Sequence, residues 1–134
     1  MISKCKIEFR ELLIRLKKNK IFKVFYVIEN ERSQVMDGFH GMTNDEKDEV
    51  KDIIIKMATI KNFKSPKIRW RLQSKYTYGE IKPKGHRFFF FIKLENNIIF
   101  FRYSIKKSDS LGDNFYKYTE KQKRRYESEF EKRI

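Results

Sequence analysis

Residues 75–107 read KYTYGEIKPKGHRFFFFIKLENNIIFFRYSIKK, and this stretch decides the fold. Residues 75–82 and 86–94 are rich in aromatic and β-branched side chains, and Pro83-Lys84-Gly85 between them is a turn sequence. Glu95-Asn96-Asn97 is read as a hairpin turn, since Asn tolerates positive φ, and residues 98–105 as the next strand. Connections this short predict an antiparallel meander. The run Phe88-Phe89-Phe90-Phe91 is continuous apolar sequence, which suits a strand buried within the sheet.

Upstream of the meander, Thr43 is a good N-cap with Glu46 three residues later, a capping box. Val50, Ile53, Ile54 and Met57 then supply the apolar stripe of a helix over residues 44–60. A short helix is expected over 34–39, ended by Gly41, and a strand over 21–28. Ile7, Leu12, Leu13 and Leu16 fall at helical spacing and predict a helix over 3–19. Residues 61–74, with Pro66, read as largely irregular and 106–114 as a polar loop. A charged helix closes the chain over 114–132, with Phe115, Tyr118, Tyr126 and Phe130 as its apolar positions. The expected fold is therefore α+β: an antiparallel sheet of about four strands with helices on one face. Residues 1–20 would be an N-terminal helical extension and 21–134 the domain proper.

At 134 residues the chain fits one compact domain. A chain of this size buries roughly two-thirds of its unfolded surface, enough for a core without disulfides. The single cysteine, Cys5, makes no disulfide framework and no metal-ligand pattern, so a reducing, cytoplasmic setting is expected. No signal-like or membrane-spanning apolar run is present: the longest, Phe88 to Ile92 and Asn96 to Phe101, are far short of the roughly 20 residues a span takes.

Net charge is +14, and it is unevenly distributed. Residues 1–60 carry twelve Lys/Arg against ten Asp/Glu, whereas 61–107 carry thirteen against only Glu80 and Glu95. Such a segment attracts polyanions. On the meander, Lys82 and Lys84 flank the first turn, His86 and Arg87 open the next strand, and Arg102 precedes Lys106-Lys107. Adjacent strands stand about 5 Å apart, so cations at strand ends can converge on one phosphate. Tyr76, Tyr78, Tyr103, Tyr116 and Tyr118 offer rings for base stacking, which suits single-stranded RNA better than duplex DNA. The same pattern also fits a solvated sheet face shielding a Phe-rich core. His40 and His86 have no obvious carboxylate neighbour in sequence, and no glycine-rich phosphate loop or HExxH motif is present.

The order of these motifs resembles the RelE/HigB toxins of bacterial type II toxin–antitoxin systems, in particular a phage-derived HigB-like branch. That branch has a first strand ending in Glu-Asn-Gly-Arg-Ser-Pro-Val before a short helix. This chain has Ile28-Glu29-Asn30-Glu31-Arg32-Ser33-Gln34-Val35, then Met36-Asp37-Gly38-Phe39. The branch continues with aromatic-Glu-Leu-Arg, a turn, and Arg opening an aromatic strand. Here the text is Tyr78-Gly79-Glu80-Ile81-Lys82-Pro83, then Gly85-His86-Arg87-Phe88. An apolar strand, a doubled basic pair (Lys106-Lys107) and a charged final helix follow, so the resemblance spans residues 21–130.

The resemblance implies a RelE-like fold and a ribosome-dependent mRNA endoribonuclease that needs no metal or cofactor. In such an enzyme a 2′-hydroxyl attacks the neighbouring phosphate. Arg87 and Lys82 would neutralise that phosphate, Lys107 with Lys106 would form the opposite rim, and Lys84 and His86 would be candidates for proton transfer. Arg102, Tyr76, Tyr78, Tyr116 and Tyr118 would bind RNA. Implied partners are the ribosome, mRNA and a cognate antitoxin with a helix-turn-helix. Arg87→Ala is then expected to abolish cleavage and leave the fold intact. A ParE-like inhibitor of DNA gyrase and a non-toxic RNA-binding relative are the alternatives.

Overall fold

A computed structural model describes residues 6–13, 20–71, 76–105 and 112–133. Strands β1 (Ile7–Glu11) and β2 (Lys23–Glu29) are followed by helices α1 (Gln34–His40) and α2 (Asn44–Thr59). Strands β3 (Ile68–Arg69), β4 (Gly79–Ile81), β5 (His86–Lys93) and β6 (Asn97–Ile105) come next, then helix α3 (Asp113–Glu131). The strands form one six-stranded sheet in the order β1-β2-β6-β5-β4-β3. β2 and β6 pair parallel, with Val24 opposite Ile98, and every other pair is antiparallel.

The sheet is thus mixed and six-stranded, where the sequence suggested antiparallel and about four. The meander is present, but it joins β2 through β6, whose direction matches that of β2. The expected N-terminal helix is replaced over residues 7–11 by β1, hydrogen-bonded to β2. Lys6, Leu12 and Leu13 are not helical either, and residues 3–5 and 14–19, the rest of that expectation, lie outside the described residues. The reason is a period-two pattern inside the helical one: Ile7 is buried and Phe9 packs edge-on against Phe130 of α3, while Arg10 faces solvent. Burying both on an available strand edge outweighs the weak helical preference of so short a stretch.

Helices cover both faces of the sheet, not one. On one face α1 and α2 bring Val35, Val50, Ile53, Met57 and Ala58 against Val24, Phe88, Phe90, Ile98 and Phe100. On the other, α3 brings Tyr126 and Phe130 against Ile7, Val27, Phe89, Phe91, Ile99 and Phe101. The four consecutive phenylalanines therefore alternate, two to each core, and all are at most 2% exposed. Full burial of a side chain this large contributes about 2–3 kcal/mol. β5 is the strand that makes two cores from one sheet.

Local signals set the helix starts. Ser33 caps α1, its hydroxyl accepting from the Met36 N–H at 3.1 Å. Thr43 and Glu46 form both bonds of the capping box on α2. The β5–β6 turn sits earlier than expected: Leu94 and Glu95 hold the positive φ angles, and the asparagines do not. Register decides this, because Lys93 pairs with Asn97 and leaves 94–96 as the loop.

Candidate functional site

The basic end of the meander is where β4 finishes, β5 begins and β6 ends. Neighbouring residues on a strand point to opposite faces, so His86 and Arg87 cannot serve one point together. Arg87 turns toward α3, and His86 toward α1 and α2. The set Lys82, Lys84, His86 and Arg87, read as one cluster from sequence, is divided by the sheet.

On the α3 side, Arg87 is 9% exposed and Glu80 is fully buried. Arg87 Nη1 donates to both Glu80 carboxylate oxygens at 2.9 Å. Arg69, directly across the β3–β4 ladder from Glu80, places its Nε 3.9 Å from the same carboxylate. A buried carboxylate without cations would carry a large desolvation cost, which the two arginines offset. Arg87 Nη2 and Nε bond to nothing among the described residues, which leaves them for another acceptor. Tyr116 stands beside this group. Burial raises its phenol above the ordinary range and Glu80 adds to the effect, while Arg87 and Arg69 oppose it.

Arg102 reaches the same face because the β5–β6 register slips between Phe89 and Phe90, with Arg102 opposite Phe89. Its Nη1 donates to Thr119 Oγ1 at 2.6 Å, and its guanidinium lies 4.0 Å from the Phe115 ring centre and 5.2 Å from that of Tyr118. Burial lowers its pKa from the ordinary value. Tyr118, at 55% exposed, is a ring open to solvent with a cation behind it.

Tyr76 and Tyr78 are not available for stacking on bases. They are 4% and 0% exposed, and Tyr78 packs edge-on against Phe89 and Phe101 while its hydroxyl donates to the Tyr116 carbonyl at 3.1 Å. Alternation accounts for this: Tyr78 and Glu80 share the face that α3 covers. α3 is held down further by Glu120, whose carboxylate accepts from the Thr77 N–H and hydroxyl at 2.8 Å.

On the other face, His86 is held between two partners. Its Nε2 lies 2.7 Å from Glu46 Oε2, and its Nδ1 lies 2.6 Å from the Tyr103 hydroxyl. Sequence reasoning missed both, because Glu46 comes from forty residues earlier on α2. The capping box was the available signal, since it fixes where the Glu46 side chain turns. Glu46 is held at about 2, below its ordinary 4.5, first by the Thr43 backbone N–H and next by His86. His40 is exposed on α1.

Lys84 is exposed in the β4–β5 turn, where Gly85 takes a φ of 79°, and Lys82 is half-buried just past β4. Lys106 and Lys107 lie outside the described residues. Arg69 is the cation that sequence reasoning left out. Its short strand interrupts a segment that carries no period. Among the described residues no cluster of three or more His, Cys, Asp or Glu is placed to hold a metal ion, and no helix is long and apolar enough to cross a membrane. Compared with protein-family models, curated proteins and solved structures, the chain finds no match.

Proposed function

We propose that this chain is an RNA-cleaving toxin of the RelE/HigB type, a ribosome-dependent mRNA endoribonuclease held in check by a cognate antitoxin. The observation that carries the reading is the gathering of Arg69, Arg87 and Arg102 on the α3 side of one sheet end. Tyr116 stands beside Arg87 and Arg69, Tyr118 beside Arg102, and Glu80 is the carboxylate paired with Arg87 and Arg69. Two guanidiniums, Arg87 and Arg69, against one carboxylate leave a net positive site that suits a phosphodiester, with Arg102 a further cation on the same face, and a partly bonded Arg87 offers a rigid donor to it. The element order from β2 to α3 (strand, two helices, meander, helix) also agrees with the motif order of those toxins.

The geometry revises which residues serve. Arg87 remains the phosphate ligand, now with Arg69 beside it, and Tyr118 takes the stacking role in place of Tyr76 and Tyr78. Induced expression followed by mapping of transcript 5′ ends tests the reading. Growth arrest with codon-phased cuts in translated messages is the expected result. Arg69→Ala, at a half-exposed position, should lower cleavage by about 10²-fold, as loss of one charge-stabilising donor does. Intact messages accompanied by DNA-damage signalling would sink the nuclease and favour a gyrase-directed inhibitor.

A further inference from the structure

We propose that the free edge of β1 is a self-association surface: two copies of this chain pair β1 with β1, antiparallel, and join their sheets into one of twelve strands. The inference does not depend on the RNA-cleaving reading above. β1 is the outermost strand of the six and, among the described residues, pairs with β2 alone. The opposite edge of the sheet is the two-residue β3, too short to pair in the same way.

The first support is which backbone groups face outward. Residues of an antiparallel strand alternate between those that bond to the neighbour and those that do not. The Asn30 N–H donates to the Lys6 carbonyl and the Leu12 N–H to the Val24 carbonyl, both at 2.8 Å. Together with the β1–β2 register, these bonds turn the backbone of Lys6, Glu8, Arg10 and Leu12 toward β2. Ile7, Phe9 and Glu11 therefore direct their N–H and C=O groups to the outer edge. An open row of this kind is a template for another strand.

The second support is the order of charge, which reads Lys-Ile-Glu-Phe-Arg-Glu over residues 6–11. Glu8 and Arg10 share a face, their side chains 43% and 63% exposed, and at 4.0 Å their own contact is long. Glu8 also meets Lys6 at 3.2 Å. A two-fold axis perpendicular to the sheet sets Phe9 opposite Phe9 and Ile7 opposite Glu11, so outward groups meet outward groups along the whole of β1. In that register Glu8 faces Arg10 of the second copy, once on each side of the axis. Slipping by two residues sets Glu8 against Glu8 and Lys6 against Arg10 in one direction, and Arg10 against Arg10 in the other. Opposite charges directly across a strand pair are favourable and like charges are not, so the charges select one register and guard against its neighbours. The half-buried Phe9, already packed on Phe130, meets its counterpart at the axis. Arg69 and Arg87 stand on β3 and β5, away from this edge, so pairing leaves them uncovered.

Sedimentation velocity of the purified full chain at rising concentration is the test, with the fold of each variant checked by circular dichroism. The wild type should form a dimer. Glu8→Arg and Arg10→Glu each set like charges across the axis, so either variant alone should dimerise about tenfold more weakly or worse. Mixed in equal amounts, the two variants again face opposite charges and should sediment together as a dimer. Glu11→Pro removes an outward N–H and no bond to β2, a substitution that an edge strand tolerates, and it should also weaken the dimer about tenfold or more. It keeps the proposal open to refutation if a charge variant fails to fold. A wild type that stays monomeric at every concentration reached overturns the proposal. So does a dimer that folded Glu8→Arg, Arg10→Glu or Glu11→Pro leaves unchanged, or a mixture of the two charge variants that associates no better than its parts.

Discussion

Arg87 shows how much a single residue's surroundings change its experimental meaning. The sequence suggested that Arg87→Ala would remove catalysis and spare the fold. With Glu80 fully buried and its nearest remaining cation, Arg69, at 3.9 Å, that substitution leaves an underpaired carboxylate inside the protein. Breaking a buried pair in this way costs about 3–5 kcal/mol, to be read from the midpoint of urea unfolding. Replacing both partners, as Arg87→Met with Glu80→Leu, should recover much of that stability while restoring no cleavage. Glu46 behaves differently with acid. Its folded-state value of about 2 lies below the ordinary 4.5, so the stability it contributes is present above about 4.5 and lost as pH falls toward 2. Melting temperatures followed over that window should drop in the wild type, and Glu46→Gln should flatten this part of the curve.

Among the elements, α2 and β4 carry the clearest dependences. Thr43 supplies the N-cap hydroxyl of α2, accepting from the Glu46 N–H at 3.2 Å, so Thr43→Ala should cost about 1 kcal/mol in unfolding free energy. It should also loosen the carboxylate that holds His86. β4 pairs with the two-residue β3 through Glu80 and Ile81, and a Cβ at Gly79 would collide with the Arg69 carbonyl, with that of Trp70 at 2.6 Å and with the Phe90 ring at 2.7 Å. Gly79→Ala should therefore push β3 away and displace Arg69. Lower thermal stability together with weaker RNA binding is the outcome expected. α2 was legible because its capping box and apolar stripe are both local. β1 and β3 were not, because what makes each a strand is an edge supplied by residues far along the chain.

For the whole molecule, the excess of positive charge was visible in sequence, but its division by the sheet was not. Alternation on β5 alone would have separated His86 from Arg87. Which face each residue meets depends on α3 crossing one side while α1 and α2 cross the other. The buried state of Tyr76 and Tyr78 has the same origin: a tyrosine on a strand reads as a stacking platform until a helix lies over it. The +14 charge makes a further expectation testable. Binding to single-stranded RNA should weaken steeply with salt, log K falling against log salt concentration with a slope of about −0.7 per phosphate contacted. Arg69→Ala should reduce that slope by roughly one contact's share, measurable by titration at several ionic strengths.

The parallel pairing of β2 with β6 also bears on synthesis. β2 emerges from the ribosome early, and the strand that completes its inner edge emerges only after both helices and the first part of the meander. Until residues 97–105 are available, the β1–β2 hairpin has its inner side unsatisfied, and Arg69, Arg87 and Arg102 have no common frame. Premature termination before β6 would release a fragment with an open strand edge, a target for proteolysis or aggregation.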